Sequence, residues 1–248
     1  MSNNSPYATD VPADLLADLA AASRILAAQG VVDGFGHVSV RNPANPTTFL
    51  MSRSLAPALV SPEDIVEYGP DGEAIQAGSP GGFLERFIHS EIYLARPDIC
   101  SVVHSHSTSV IPYGLGKVPV HAMFHNAAFL ACGVPTFDIR DEFGATDLLI
   151  SERAKGKALA NTLGATNVVL LRAHGSVACG PTLPIAVFRA VYTEVNARIQ
   201  TTTLGLMPLD EVAFLDEEEG RLADVPNQTA GIRAWHLWRT TIRNQTGW

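Results

Sequence analysis

Apolar residues recur at helical spacing near the start of the chain. In the segment that follows residue 13, leucine and alanine occupy positions 15, 16, 19, 22 and 26, a period that places them on one face of a helix. Gly30 comes directly after this segment, and glycine commonly ends a helix. The pattern therefore predicts a helix over residues 14–29.

Helical and strand-like patterns alternate along the rest of the chain. Further helices are predicted at residues 85–95, at 145–162, from Pro184 to about residue 204, and at 230–243, whereas the acidic stretch at 216–225 is predicted to be a solvated segment. Short strands are predicted at 38–41, 49–51, 99–106 and 167–175, and Gly-Pro-Asp-Gly within residues 66–75 predicts a β-hairpin. The alternation runs without a linker or repeat, which favours one α/β domain.

Composition narrows the class of protein. The chain has 248 residues, 46% of them hydrophobic and 17% charged, and a mean hydropathy of +0.13, values typical of a soluble globular protein with room for buried subunit interfaces. The net charge of −8 argues against nucleic acid as a partner. The first residues lack the features of a signal peptide, and no segment is apolar enough to span a membrane. We therefore expect a cytoplasmic protein without a membrane partner.

Three cysteines are spaced widely along the chain. Cys100, Cys132 and Cys179 each lie in an apolar context, and an odd number at such spacing does not suggest a disulfide framework. We expect all three to be small buried side chains in a reducing compartment.

A pair of histidines follows an apolar run in the sequence SVVHSHSTSV. On a strand, His104 and His106 project from the same face and lie close enough to chelate one ion, but the spacing alone fits an exposed polar strand face equally well. His174 ends a second apolar strand and precedes a glycine. Three histidine ligands would leave an open coordination position, as a catalytic metal site requires. The alternative for His174 is a core histidine bonded to backbone.

Glu85 begins the predicted helix before the histidine pair. A glutamate in a first helical turn ordinarily complements the helix dipole. If the helix packs antiparallel to the strand, however, Glu85 reaches the same site and can act as a ligand or as a proton-transfer group. His89, one turn further on, is predicted to be a packing or supporting residue.

The motifs ERFIHSEIYLARPDICSVVHSHS and VVLLRAHGSVACG together resemble the class II aldolase/adducin family. The resemblance extends from the first helix to about residue 206. It implies a single-domain, three-layer α/β/α fold with a mostly antiparallel central sheet, a core at about 14–206, and an extension at 207–248 that lies at a subunit interface. It also implies a homotetramer, a divalent metal held by His104, His106 and His174, and Glu85 as acid/base and candidate additional ligand.

The sequence departs from the family where sugar-phosphate aldolases bind phosphate. Those enzymes carry Gly-Asn, a Thr-Gly pair and two serines before the glutamate, and the aligned places here hold Gly36-His37, Arg53-Ser54 and Phe83-Leu84. Phe83 and Leu84 remove hydroxyl donors that a phosphate would require. Arg53 instead suits a carboxylate, and His37 adds a second donor. We therefore expect a flat hydroxylated aromatic or heteroaromatic acid as substrate, bound by His37, Arg53, Ser54, Phe83 and Leu84.

This pattern is similar to the branch of the family that decarboxylates dihydroxyphthalate or hydroxypyridine-dicarboxylates. The resemblance implies a metal-dependent carboxy-lyase that uses Mn²⁺ or Zn²⁺, although Fe²⁺ and Co²⁺ also accept such ligands. One alternative is a class II aldolase for a non-phosphorylated oxo or hydroxy acid, and another is a non-catalytic module like adducin. His125 is a weaker candidate to line the site, whereas Tyr113, Trp235 and Trp238 are expected to pack structurally.

Overall fold

A computed structural model describes residues 11–248. The expectation that the first residues do not form a signal peptide therefore lies in part outside the described residues. Strands occupy β1 (His37–Arg41), β2 (Phe49–Ser52), β3 (Ile65–Tyr68), β4 (Ser101–Ser105), β5 (Thr136–Phe137), β6 (Val168–Leu171) and β7 (Gly175–Gly180). Helices occupy α1 (Ala13–Ala28), α2 (Arg86–Ala95), α3 (Arg140–Phe143), α4 (Arg153–Leu163), α5 (Leu183–Leu204) and α6 (Glu217–Thr246). Among residues 11–248, no helix combines the length and apolar character needed to cross a membrane.

The strands form one sheet in the order β3-β2-β1-β4-β7-β6-β5. The pair β5–β6 is parallel and the remaining pairs are antiparallel, which confirms the predicted, mostly antiparallel sheet. β4 occupies the centre, where His104 lies opposite His37 of β1 and Val177 of β7. The central strand thus presents its histidines between two neighbours.

Helices cover both faces of the sheet. Adjacent residues of a strand point to opposite faces, so that Val103 packs in one core with Leu26 of α1 and Val187 of α5. Val102 packs in the other core with Ile88 of α2 and, on α4, Leu159. The two cores on either side of one sheet confirm the three-layer α/β/α prediction.

The predicted helix at residues 145–162 is wrong over its first half, because α4 begins only at Arg153. In the preceding loop, Thr146 Oγ1 accepts a hydrogen bond from the Leu148 amide and Asp147 Oδ1 accepts one from the Leu149 amide. Such local side-chain bonds compete with helical backbone bonds. This loop, residues 144–152, contributes to the site described below.

The acidic stretch at 216–225 is largely exposed, as predicted, but it is also helical, since residues 217–225 belong to one helix, α6, with the predicted residues 230–243. Asp216 caps the helix by accepting from the Glu219 amide, and the Glu219 side chain accepts from the Asp216 amide. This capping box and the acidic first turn favour helix formation. The extension packs against α1 and α5 of its own chain, with Trp235 buried in the core and Trp238 packed beside it.

Smaller predictions had mixed outcomes. The first strand of the predicted hairpin at 66–75 is present as β3. Its second strand is not formed, because Ala74 makes only an isolated antiparallel bridge to Tyr68. β7 was not predicted. Of the three cysteines, Cys179 is buried as expected, but Cys100 is half-buried and Cys132 is exposed. Cys132 lies in a turn that is closed by a hydrogen bond from the Gly133 amide to the Leu130 carbonyl.

Candidate active site

Four potential ligands from separate parts of the chain meet at one end of the sheet. His104 lies near the end of β4, His106 follows that strand, His174 lies in the turn between β6 and β7, and Glu85 caps α2. One ligand atom of each lies within 4.8 Å of all the others. The strand order accounts for this convergence, because β4 and β7 are neighbours and run antiparallel.

The distances among these ligand atoms are short. His106 Nε2 lies 3.1 Å from His104 Nε2 and 2.9 Å from His174 Nε2. Glu85 Oε2 lies 3.5 Å from His104 Nε2 and 3.4 Å from His174 Nε2. His104 is fully buried, whereas His106 is open enough to line a cavity. The cluster therefore has one side that a small molecule can reach.

Backbone carbonyls fix the orientation of two of the imidazole rings. His104 Nδ1–H donates to the Ser176 carbonyl oxygen at 3.1 Å, and His174 Nδ1–H donates to the Leu148 carbonyl oxygen at 3.0 Å. When neutral, each ring then has an unprotonated Nε2 that faces the cluster. Burial, with the charges of His104 and His174, lowers the pKa of His106 to about 4, so that His106 is neutral near pH 7.

This donor set fits a single divalent cation. Two ligand atoms about 2.1 Å from one ion are about 3.0 Å apart at a right angle and about 3.4 Å apart at the tetrahedral angle, and the four distances above span that range. The Nε2 of His106 faces the lone pairs on the Nε2 atoms of both His104 and His174. A neutral His106 can donate at most one proton there, so at least one of these two lone pairs has no hydrogen-bond donor within the cluster. Three imidazoles and a carboxylate suit zinc, manganese, iron or cobalt.

The backbone around His174 is held in unusual conformations. Leu148 and Ala173 have φ angles of +67° and +56°, a region that residues other than glycine seldom adopt. Both serve His174, since Ala173 precedes it and the Leu148 carbonyl binds its ring. Strain of this kind persists where surrounding structure enforces it, commonly at functional sites.

Glu85 is held from the opposite side by the same loop. Its Oε1 accepts a hydrogen bond from the Ile150 amide at 3.0 Å, which leaves Oε2 directed towards the histidines. Burial alone would raise the pKa of Glu85, but His104 and His174 outweigh that effect and hold the pKa well below its ordinary value. Glu85 is therefore an ionised carboxylate, suited to bind a cation or to accept a proton.

A cavity of about 660 Å³ opens beside this cluster and reaches Glu85 and His106. A volume of this size is within the range of small-molecule sites. Of the predicted substrate contacts, His37, Ser54, Phe83 and Leu84 line it. Sequence reasoning missed its other walls, which are Gly34, Phe35, Gly36, Leu55, Ala56 and Leu149. The apolar residues among them gave no sequence signal that distinguished them from ordinary loop or core positions.

Two predicted substrate contacts are not among the residues that line this cavity. Among residues 11–248, neither Arg53 nor His125 belongs to its lining. Arg53 Nε donates to Asp64 Oδ1 at 2.7 Å, so part of its guanidinium is already paired with a carboxylate. His125 is exposed and its Nδ1 contacts its neighbour Asn126.

Tyr113, expected to be structural, bonds through its hydroxyl to Thr201 of α5.

His89, predicted to support the site, is buried between the sheet and the cavity wall. Its Nε2 lies 2.7 Å from His37 Nδ1 and its Nδ1 lies 2.6 Å from Ser39 Oγ. Ser39 Oγ in turn lies 2.7 Å from the Tyr93 hydroxyl. Burial, reinforced by the charge of His104, lowers the pKa of His89 to about 3. The four-residue spacing of His89 and Tyr93 places both on one side of α2, but that spacing does not reveal the connection to His37.

Comparison with known proteins agrees with this geometry. Residues 17–201 match the model of the family described as class II aldolase and adducin N-terminal domain. Decarboxylase tropJ of Talaromyces stipitatus is 41% identical over 86% of this chain and 88% of that protein. The 3,4-dihydroxyphthalate decarboxylase of Arthrobacter keyseri is 29% identical over 89% of this chain and 90% of that protein.

A solved structure supports the fold independently. L-fuculose 1-phosphate aldolase from Glaciozyma antarctica superposes with a TM-score of 0.77, covers 95% of this chain and 90% of its own, and is 24% identical. At that identity the likeness concerns the fold alone. The chain belongs to the class II aldolase and adducin family, and its sequence relatives place it on the decarboxylase branch of that family.

Proposed function

We propose that this carboxy-lyase removes one carboxyl group, as CO₂, from a hydroxylated aromatic or heteroaromatic dicarboxylate. The observation that carries the proposal is the cavity in which largely apolar walls lead directly to Glu85 and His106. The similarity to 3,4-dihydroxyphthalate decarboxylases over about nine tenths of the chain supports this substrate class. Phe83 and Leu84 in the wall supply no side-chain donor for a phosphate.

We propose further that His104, His106 and His174 hold one divalent metal ion, Mn²⁺ or Zn²⁺, with Glu85 beside them as the acid/base and as a candidate additional ligand. When bound, such an ion supplies a Lewis acid that stabilises negative charge developing on a substrate oxygen. The carbonyls of Ser176 and Leu148 fix the two ligand rings before any ion arrives. This preorganisation reduces the rearrangement needed for catalysis.

The walls of the cavity bind and desolvate the ring of the substrate. Phe35, Leu55, Phe83, Leu84 and Leu149 present apolar surface to it. Burial of a flat ring against such surface removes water and strengthens the polar contacts made at its edge. His37 and Ser54 are the polar side chains in the wall that can bind the carboxylate which the substrate retains. Arg53 remains a predicted contact, with its Nε engaged by Asp64.

Glu85 supplies the proton transfer that the reaction needs. As an ionised carboxylate, it accepts a proton from the ring hydroxyl of the substrate at Oε2 and returns that proton to the ring carbon that loses CO₂. The carbon–carboxyl bond breaks, its electron pair stays with the ring carbon, and the new carbon–hydrogen bond uses that pair. The ring oxygen is left as a phenolate and takes up one proton from water, so that overall the carboxylate and one proton are converted to CO₂ and the hydroxylated product.

The proposal includes self-association as a homotetramer. Phe35 and Leu84 lie at the cavity and are 67% and 63% exposed in the single chain. Large apolar side chains with such exposure commonly mark a binding or subunit surface. A neighbouring subunit would cover them and complete the enclosure of the substrate.

The test is the product released by the metal-loaded protein. We expect CO₂ from 3,4-dihydroxyphthalate or from a member of a panel of hydroxyphthalates and hydroxypyridine-dicarboxylates. Release of an aldehyde from an oxo or hydroxy acid, without CO₂ from any member, would refute the proposal in favour of an aldolase.

Elemental analysis of the purified protein tests the metal. We expect about one ion per subunit in the wild type, none in His104→Ala, and wild-type content in the control His236→Ala, because His236 is exposed on α6. A folded wild-type protein without metal or turnover would instead favour an adducin-like module.

A further inference from the structure

Four buried polar groups form a continuous chain that leads from the cavity into the space between β1 and α2. His37 and Ser39 lie two residues apart on β1 and therefore share one face. His89 and Tyr93 lie four residues apart on α2 and share one side of the helix. The links run from His37 to His89, from His89 to Ser39, and from Ser39 to Tyr93, at 2.7, 2.6 and 2.7 Å.

The buried end of this chain sets the direction of its hydrogen bonds. Among residues 11–248, the Tyr93 hydroxyl bonds only with Ser39 Oγ. A buried hydroxyl proton without an acceptor is unfavourable, so Tyr93 donates to Ser39. Ser39 then uses its own proton to donate to His89 Nδ1.

The direction carries through the imidazole of His89. Because its Nδ1 accepts from Ser39, neutral His89 carries its proton on Nε2 and donates to His37 Nδ1. Neutral His37 must then carry its proton on Nε2. The opposite direction would leave the Tyr93 proton without an acceptor in the described part of the chain. If the ring of His37 or that of His89 carried an additional proton, His37 Nε2 would still bear a hydrogen. The presence of that hydrogen therefore does not depend on the protonation state of either ring.

His37 presents this hydrogen to the cavity. The residue is 5% exposed and lines the cavity; among residues 11–248 its ring is hydrogen-bonded at Nδ1, and its Nε2 is not one of the fully buried polar atoms that lack a partner. We propose that Tyr93, Ser39 and His89 are positioning residues that fix His37 as a hydrogen-bond donor to an acceptor oxygen of the bound ligand. That this oxygen belongs to the retained carboxylate of an aromatic dicarboxylate rests on the proposed function.

Specificity follows from the fixed direction of the bonds. A histidine with free choice of tautomer accepts from a donor or donates to an acceptor. His37 is restricted to donation, so a ligand with a carboxylate at this position is bound, while one with an amide N–H there meets another donor. A site with a buried polar group discriminates strongly against ligands that leave the group unpaired.

The tautomer of His37 is directly measurable. We would label the zinc-loaded protein with ¹⁵N-histidine, record long-range proton–nitrogen correlation spectra, and assign His37 by the loss of its signals in His37→Phe. We expect the Nε2–H tautomer in the wild type and a mixture of tautomers in Tyr93→Phe. The matched control is Tyr113→Phe, which removes a hydroxyl bonded instead to α5 and should leave His37 unchanged. An Nδ1–H tautomer in the wild type, or no change in Tyr93→Phe, would overturn the proposal.

Ligand binding provides the second measurement, with phthalate as the probe. We expect its affinity, measured by calorimetry, to fall about threefold to tenfold in Tyr93→Phe, as for the loss of one hydrogen bond, and to stay constant in Tyr113→Phe. Equal affinity in the two variants would refute the role of His37 towards a carboxylate. Absence of CO₂ from the wild type would refute the proposed function instead, and the tautomer measurement distinguishes the two failures.

Discussion

Replacement of Gly175 by alanine should displace His174, a candidate metal ligand, without removing the side chain of any of the four candidate ligands. Gly175 begins β7 directly after His174 and lies against β4. An added Cβ would overlap the Ser105 carbonyl oxygen and would lie 3.0 Å from the Ser105 carbonyl carbon and 3.2 Å from His106 Cα. These are backbone atoms that cannot rotate away, so β7 has to move.

The size of the effect follows from this overlap. Relief of the overlap requires β7 to move by on the order of 1 Å away from β4, and a misplacement of that size costs about 100-fold in rate. Overpacking of this kind also costs about 1–3 kcal/mol of stability. We therefore expect Gly175→Ala to fold, to bind metal more weakly, and to release CO₂ about 100-fold more slowly.

The assay compares metal content after dialysis, CO₂ release and thermal unfolding in Gly175→Ala and Gly116→Ala. Gly116 is the control because it is exposed and its Cβ would meet only Val118 N, at 4.0 Å. Wild-type metal content and wild-type turnover in Gly175→Ala would refute the inference that contact between β4 and β7 sets the position of His174.

Three further predictions concern other parts of the molecule. Glu85→Gln keeps an oxygen for the Ile150 amide but loses the proton acceptor, so CO₂ release should fall about 10²–10⁴-fold; a rate within threefold of wild type would exclude Glu85 as the base. Phe83→Ser makes the cavity wall polar, and KM for the aromatic acid should rise several-fold while kcat changes less, as steady-state kinetics will show. Burial alone would raise the pKa of Asp64, but the hydrogen bond from the Ser61 amide, with those from Arg53 and the Ser61 hydroxyl, lowers it below its ordinary value of 3.8. This stabilisation is present above pH 3.8 and is lost as the pH falls through the lowered pKa, so calorimetry should show Asp64→Asn less stable than wild type at pH 7, with the difference vanishing in strong acid.

The sequence predicted most of the fold and, as candidate metal ligands, the residues that the structure brings together, for physical reasons. Strand periodicity placed His104 and His106 on one face, and the apolar run before His174 located a second strand end. β7 was missed because Gly175 and Gly180 bound a short segment of small residues, which weakens the strand signal. The glycines are needed for close approach of neighbouring backbone, as at Ser105, and only the three-dimensional structure shows that requirement.

The role of the loop at 144–152 and the surroundings of Arg53 were not accessible from sequence patterns. Alanine and leucine in the loop suggested a helix, whereas side-chain bonds from Thr146 and Asp147 stabilise an irregular backbone. The pairing of Arg53 with Asp64 depends on how a turn folds back over eleven residues. Such pairings carry no periodicity that a linear pattern could reveal.

The loop that binds Glu85 and His174 also constrains how the substrate range of this enzyme can change in evolution. Loops ordinarily tolerate insertions and deletions, but here the Leu148 carbonyl is bonded to the His174 ring and the Ile150 amide to the Glu85 carboxylate. An insertion between them would disturb both. Leu149, the residue between these two anchors, faces the cavity, so its side chain can be exchanged while its backbone stays fixed. Point substitutions at residue 149 can thus alter the cavity wall without a change in loop length and without displacement of Glu85 or His174.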